Sequence, residues 1–286
     1  MSPIMEGKIC LITGATLGIG KETALGLARR GAHVVLVGRD ADRTRAAADS
    51  IRREAGTDRV AFLLADLSSQ ADVRKLAREF RDKYSRLDVL VNNAGAIFTR
   101  RETTVDGFER TWALNHLAYF LLTLELLDLL KASAPARIVN VASTMHTGGV
   151  IDFNDLQGER RYSGIRAYSQ SKLANVLFTY ALARRLEGTG VTANCLHPGG
   201  VATGFGQSTP GMIRLFLRLA RPFLITAEQG AATSIYLASS PEVEGVSGEY
   251  FSRSRLARSS AASHDTALQE RLWALSLKQI GATTPA

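Results

Sequence analysis

The chain has 286 residues, 45% of them hydrophobic, with 35 Lys and Arg against 27 Asp and Glu and a formal charge of +8. That length fits one large α/β domain with a substantial core, and its only two cysteines, Cys10 and Cys195, each lie in an apolar run, which excludes a disulfide framework and suits a reducing compartment. The basic residues are scattered apart from Arg214/Arg218/Arg221 and Arg253/Arg255/Arg258, and no nucleic-acid-binding signature accompanies them, so nucleic acid is excluded as a partner and an anionic cofactor or surface accounts for the charge. The amino-terminal MSPIMEGKICLITGA moves directly into a strand pattern, with neither a signal-peptide core nor a spanning segment. A cytoplasmic protein is therefore expected. No Cys/His spacing suggests a metal site.

Along the chain, β-branched apolar runs alternate with longer helical patterns. Strands are expected at 8–13 (KICLIT), 33–38 (HVVLVG), 60–65 (VAFLLA), 88–93 (DVLVNN), 137–142 (RIVNVA), 191–196 (VTANCL) and 248–251 (GEYF). Helices are expected near 18–30, 40–55, 69–84, 105–131, 168–187 and 226–239, with a last one in SHDTALQERLWALSLKQI. The strands are apolar throughout, as strands buried on both faces are. Right-handed crossovers then give a single α/β domain, a doubly wound, mostly parallel seven-stranded sheet with helices on both faces. No repeat or linker divides it.

TGATLGIG, Thr13 to Gly20, follows the first strand and opens the first helix. Glycines there permit a tight turn and close approach of phosphate oxygens, and the helix amino terminus offers N–H groups and a positive dipole end. The spacing Gly14-xxx-Gly18-x-Gly20 differs from GxGxxG, but its place at strand, turn and helix reads as a nucleotide cradle. Further on, YSQSK sets Tyr168 and Lys172 one helical turn apart on one face. Neither side chain alone titrates near neutrality, yet a nearby positive charge favours the phenolate and lowers a tyrosine pKa. The pair is expected to act as a proton-transfer device.

TGATLGIG, NNAG (Asn92 to Gly95) and YSQSK, in this order and spacing, resemble the short-chain dehydrogenase/reductase family over nearly the whole chain. NHLAYF (115–120), DLQGE (155–159), SKLANVLFTYALARRL (171–186) and GEYFS (248–252) resemble its retinol-dehydrogenase-like branch. The resemblance implies a Rossmann-like fold and hydride transfer between a nicotinamide and a carbonyl or alcohol. It makes Tyr168 the general acid/base, Lys172 the residue that holds the nicotinamide ribose and lowers the Tyr168 pKa, and Ser143 the partner of the substrate oxygen. Asn115 would help hold a water chain through which the proton leaves. The segment MHTGGVIDFNDLQGERRYSGIRA, between Ser143 and Tyr168, is an insertion typical of the branch and forms part of the substrate wall.

The resemblance also assigns the cofactor side. Gly14, Thr16, Gly18, Ile19 and Gly20 form the cradle. Gly38 stands where an NAD enzyme carries its acid, and Arg39 follows, suited to a 2′-phosphate. This favours NADP(H) over NAD(H), with Asp40 keeping NAD(H) open. Asp66 should accept from the adenine amino group with Leu67 giving a backbone contact, while Asn92, Ala94 and Gly95 line the adenine-ribose side. HPGGVAT matches PGxVxT, so Pro198, Val201 and Thr203 should touch the carboxamide.

After Thr203 the chain reads GFGQSTPGMIRLFLRLARPFLITAEQG, with Arg214, Arg218 and Arg221 on one helical stripe. Residues 201–228 are expected to form a substrate lid on a core spanning about 7–200, with 229–286 closing the domain. The stripe over 211–225 suits either a lid over an apolar pocket or a peripheral membrane contact. The substrate expected is a small lipophilic carbonyl or alcohol, retinal or retinol among them. The anchoring helix of many retinol dehydrogenases is not evident at the amino terminus. Helices 105–131 and 168–187 are surfaces through which family members form dimers or tetramers, and a homo-oligomer is expected. A dinucleotide-binding sensor without turnover, a reductase of carbon–carbon double bonds and an NAD-dependent alcohol dehydrogenase are the alternatives.

Overall fold

Val, Ile and Leu dominate the strands β1 (Ile9–Thr13), β2 (His33–Gly38), β3 (Val60–Leu64), β4 (Val89–Asn92), β5 (Ala136–Val141) and β6 (Val191–His197), which are followed by the short β7 (Tyr250–Ser252) and β8 (Arg255–Leu256). The structure is a computed structural model that describes residues 4–200 and 225–282. All eight strands join one sheet in the order β3-β2-β1-β4-β5-β6-β7-β8. Pairing is parallel except for β7 and β8, which pair antiparallel. The sheet thus exceeds the expected seven strands by one. The addition has two residues and follows a turn in which Arg253 and Ser254 both hold positive φ (52° and 57°), features too short and too irregular for a periodicity to reveal.

The helices are α1 (Gly18–Ala28), α2 (Ala41–Ala55), α3 (Gln70–Lys83), α4 (Arg110–Trp112), α5 (Ala118–Glu125), α6 (Leu127–Ala132), α7 (Gly164–Arg185), α8 (Ala227–Ser239) and α9 (Thr266–Gln279). Strand side chains alternate between two cores. Leu11, Val35 and Leu90 face Phe80, Phe120, Leu177, Phe178 and Trp273. Ile12, Val34, Leu36 and Val91 face Leu25, Ile51 and Leu237. Among the described residues, no helix is long and apolar enough to cross a membrane.

Two helix boundaries depart from expectation. The stretch expected at 105–131 begins only at Arg110. Gly107, at φ +82°, turns the chain so that Thr104 N–H donates to Phe108 O at 2.8 Å. Glu109 then caps the new helix, its carboxylate accepting from the N–H groups of Thr111 and Trp112. One π turn, Ala113–Leu117, separates α4 from α5, and Leu126 (φ −105°, ψ 4°) separates α5 from α6. The helix expected from Tyr168 starts a turn earlier, because the Ser163 side chain caps it.

Helix α7, one of the two helices expected to associate with a second copy, is covered by this chain itself along most of its length. Every α7 residue from Tyr168 to Ala183 is buried. Trp273 of α9 packs edge-on to Phe120 (4.9 Å between centroids) and stacks on Phe178 (5.9 Å). Trp112 Nε1 donates to Gln279 Oε1 at 2.9 Å, and Arg184 and Arg185 pair with Glu270. Beside them His116 is fully buried, its Nε2 2.9 Å from Ser276 Oγ and its Nδ1 3.4 Å from Asn175 Oδ1.

Burial pushes the His116 pKa from 6.5 down to about 4, so the folded chain keeps this ring neutral. An unfolded chain protonates it near 6.5, so its stabilisation is complete above that pH and is lost as pH falls toward about 4. We expect the loss to be on the order of 3 kcal/mol for this one residue. Urea unfolding at pH 7.5 and 4.5 measures it: His116→Gln should be less stable than the parent at pH 7.5 and show a smaller acid-induced loss.

Candidate active site

The strand order reverses between β1 and β4, and in open α/β sheets a crevice forms there, outside the carboxyl ends of the strands. Thr13 ends β1, and its Oγ1 accepts from the N–H groups of Asn93 (2.9 Å) and Ala94 (3.1 Å). Asn93 Nδ2 returns bonds to the carbonyls of Thr13 (2.8 Å) and Gly14 (3.2 Å). Asn93 therefore shapes the glycine turn. Asn92, expected to line the cofactor, instead turns its amide into the interior, donating to Thr123 Oγ1 (3.0 Å) and Asn140 Oδ1 (2.9 Å). Adjacent strand residues point to opposite sides, and the sequence alone does not say which asparagine faces the crevice.

The turn has no room for side chains. A Cβ on Gly14 (φ +64°) would lie 2.8 Å from Ala94 Cα, and one on Gly20 would lie 2.3 Å from Gly14 O and 2.4 Å from Asn93 Nδ2. No side chain caps α1 at Leu17, so its first N–H groups are offered to the crevice. Gly18 opens α1, with Ile19 half-buried behind it, and Thr16 packs its methyl toward Gly38. This bare cradle at an uncapped helix amino terminus fits a pyrophosphate. Ala94 and Gly95 continue along the crevice, and a Cβ on Gly95 would come 3.2 Å from Asn115 Oδ1 and 3.4 Å from Lys172 Nζ.

At the adenine end, a Cβ on Gly38 would sit 2.3 Å from Thr44 Oγ1 and 2.6 Å from Thr16 Cγ2. Arg39 is exposed, whereas Asp40 caps α2 by accepting from Arg43 N–H at 2.9 Å. Burial raises the Asp66 carboxyl, but the Ser68 hydroxyl and N–H, with the Arg39 and Arg110 charges, hold it below the ordinary value. Its Oδ1 is taken by Ser68, and Leu67 beside it is buried in the core. Pro198 follows β6 at the mouth of the crevice. Val201, Thr203, the rest of the lid up to 224 and nearly all of the 211–225 stripe lie outside the described residues.

The residues expected to be catalytic lie together. Tyr168, on the second turn of α7, hydrogen-bonds its hydroxyl to Ser143, which follows β5 and also caps the short 3-10 helix Thr144–Gly148. Lys172 Nζ lies 5.5 Å from the centre of the Tyr168 ring and donates to Val141 O at 2.9 Å. Burial dominates both groups. It pushes the Tyr168 phenol up to about 12, against the lowering effect of Ser143, and pulls Lys172 down to about 7. Burial therefore sets the Tyr168 pKa against the depression expected from Lys172, because desolvation disfavours each charged form. Asn115 sits in the π turn with its side chain fully engaged. Its Nδ2 donates to Ala96 O (2.9 Å) and Ser171 Oγ (3.0 Å), and its Oδ1 accepts from Ala96 N–H (2.9 Å). It clamps the crevice wall to α7. Sequence reasoning missed Asn93, His146 and His197. His197 reaches the Ser143 segment from 53 residues away, and His146, three residues after Ser143, takes its second partner from Ser260, 114 residues on; only their proximity to motifs hinted at a role.

A family model described as short chain dehydrogenase matches residues 8–212. The chain belongs to the short-chain dehydrogenase family. It falls in the retinol-dehydrogenase-like branch: Retinol dehydrogenase 12 of Mus musculus is 44% identical over 277 residues, spanning 97% of this chain and 87% of that protein. An uncharacterised protein of Mycobacterium paratuberculosis has a similar structure (TM-score 0.79, 33% identity, covering 98% of this chain and 96% of that one). So does a short-chain dehydrogenase of Shigella flexneri crystallised with NADP (TM-score 0.71, 25% identity, covering 89% and 100%). The dehydrogenase is thus an oxidoreductase, and the crevice is where its chemistry is to be sought. A cavity of about 730 Å³ opens elsewhere, at the amino ends of the strands beside Lys8, Val89, Ala136 and Val191.

Gly20→Ala should cost about 1–3 kcal/mol by overpacking and displace the Asn93 amide from the glycine turn. Thermal unfolding together with a fluorescence titration of NADPH binding checks this, with both stability and affinity expected to fall.

Proposed function

We propose that this dehydrogenase uses NADP(H) to interconvert a small lipophilic carbonyl compound and its alcohol, a retinal-like aldehyde being the leading substrate, with Tyr168 as general acid/base. The observation that carries the reading is the Tyr168 hydroxyl bonded to Ser143 beside the buried Lys172, at the end of β5 next to the glycine cradle. The nicotinamide ring, when bound, supplies or takes up the hydride. Ser143 donates to the substrate oxygen and stabilises charge as it develops there. Tyr168 gives that oxygen its proton in reduction, and a phenol raised to about 12 is fully protonated at neutral pH. In oxidation the Tyr168 phenolate accepts the proton from the alcohol. Lys172 provides the adjoining donor for a ribose hydroxyl, and its charge, when present, strengthens Tyr168 as an acid.

NADP(H) is favoured by three features of this chain. Gly38 leaves no space for the carboxylate that a ribose 2′-hydroxyl would need. Asp40, the nearest acid, is engaged in capping α2. Arg39 stands exposed at the same strand end, with the planar donors a 2′-phosphate pairs with. A lipophilic substrate is supported by Val150 and Ile165, large exposed apolar side chains in the segment between Ser143 and Tyr168, and by the retinol dehydrogenase relatives.

The test is NADPH oxidation by the purified protein with a panel of lipophilic aldehydes and ketones including retinal, run in parallel with NADH. Tyr168→Phe should bind NADPH with unchanged affinity and lose turnover by a factor of about 100 or more. Parent-like turnover in that variant would sink the mechanism. Arg39→Ala should raise the KM for NADPH roughly tenfold, as expected for the loss of a charge-assisted hydrogen bond, and leave the KM for NADH within about twofold.

A further inference from the structure

Ser143 is gripped from behind by a buried histidine. His146 is 1% exposed, and its Nδ1 lies 2.6 Å from Ser143 O, which also accepts the His146 backbone N–H at 3.1 Å. A carbonyl can only accept, so Nδ1 carries the hydrogen. On the other edge of the ring, Nε2 lies 3.0 Å from Ser260 N and accepts its N–H, so Nε2 carries the lone pair. One neutral tautomer satisfies both partners, and burial, which lowers the His146 pKa, maintains that neutral state. The ring packs against Tyr250 at 4.9 Å between centroids. On its far side Thr144 N–H donates to His197 Nδ1 at 3.2 Å. The turn that carries the serine is therefore held at successive residues.

Ser260 lies 114 residues further along the chain, in the segment that leads into α9. That segment is anchored in turn. Ser263 Oγ donates to Ser260 O at 2.6 Å, Gln269 Nε2 donates to Ser263 O at 2.7 Å, and Ser259 Oγ lies 2.7 Å from Tyr180 Oη on α7. A continuous path runs from α9 through Ser260 and His146 to the Ser143 carbonyl.

The geometry points to His146 as a positioning residue that sets the Ser143 hydroxyl for the substrate oxygen and makes its placement depend on the carboxy-terminal segment. This rests on the role of Ser143 given under Proposed function. His146 touches neither substrate nor cofactor; it acts by fixing the peptide of the residue that does. Misplacing a reacting group by a fraction of an ångström lowers the catalytic step without altering ground-state binding to the same degree.

The experiment uses the full chain, NADPH and retinal, with kcat, KM, NADPH affinity and Tm measured for His146→Gln, His146→Asn, Ser260→Pro, Ser143→Ala and the doubles with Ser143→Ala. His146→Gln should lower kcat by about tenfold to a hundredfold and leave the KM for retinal and the NADPH affinity within about twofold. His146→Asn, whose amide N–H occupies the place of Nδ1, should recover much of that loss. Ser260→Pro removes only the N–H that Nε2 accepts and its side chain, at a φ of −66° that proline adopts, and should cause a smaller loss of the same kind. In the Ser143→Ala background neither His146→Gln nor Ser260→Pro should lower kcat further. The proposal is overturned if the losses multiply in that background, or if His146→Gln and Ser260→Pro change Tm alone. Parent-like turnover of Ser143→Ala would instead remove the catalytic reading itself, and the proposal with it.

Discussion

The carboxyl ends of β1 and β4 lie side by side where the sheet reverses its order, and Thr13 and Asn93 lock them there. The threonine hydroxyl takes two backbone N–H groups from the turn after β4, while the asparagine amide takes two carbonyls from the turn after β1. Each turn thereby satisfies polar groups that the other leaves unpaired, and the exchange holds Gly14 against Ala94 so closely that neither turn can move alone. The cradle, the crevice wall at Gly95 and the approach to Lys172 all take their positions from this contact. A loss of either side chain strands buried donors or acceptors, which costs more than the bonds themselves contribute.

A second constraint runs through the interior. Asn92 donates to Asn140, Asn140 to Thr179, Thr179 to the carbonyl of Asn175, and Asn175 to the carbonyl of Asn115. Asn115 donates to Ser171, and Ser171 to the carbonyl of Tyr168. This chain of buried amides and hydroxyls ties β4 and β5 to α7 and to the π turn, and ends at the proposed acid/base. In a sheet buried on both faces apolar packing tolerates small slips, whereas a continuous chain of directional hydrogen bonds favours one register. The π turn belongs to the same logic: widened backbone spacing presents the Asn115 carbonyl to a side chain rather than to the next turn.

Much of this was legible in the sequence. Continuous apolar runs located the strands, and the ordered motifs located the glycine turn, Ser143, Tyr168 and Lys172. What escaped were properties of the folded interior. Two adjacent asparagines look alike until the pleat assigns one to the crevice and the other to the core. Electrostatic reasoning from Tyr168 and Lys172 as a pair left burial out, which raises the tyrosine and lowers the lysine, since desolvation depends on everything packed around them. The helix break at Gly107 and the cap at Ser163 were written locally, but the apolar periodicity around them was the louder signal. His146 gains its role only from a segment more than a hundred residues away.

The covering of α7 by α9 bears on how the chain is made. Synthesis proceeds from the amino terminus, so most of the sheet, the glycine turn and α7 are made before the segment that seals them. Until Trp273 arrives, Phe120 and Phe178 present an aromatic surface to water, and His116 and Trp112 lack their partners on α9. A nascent chain at that stage is a nearly finished α/β fold with one sticky side, the condition in which chaperones are engaged and chains associate with one another. Docking of α9 is thus a sealing step in biogenesis as well as a layer of the core.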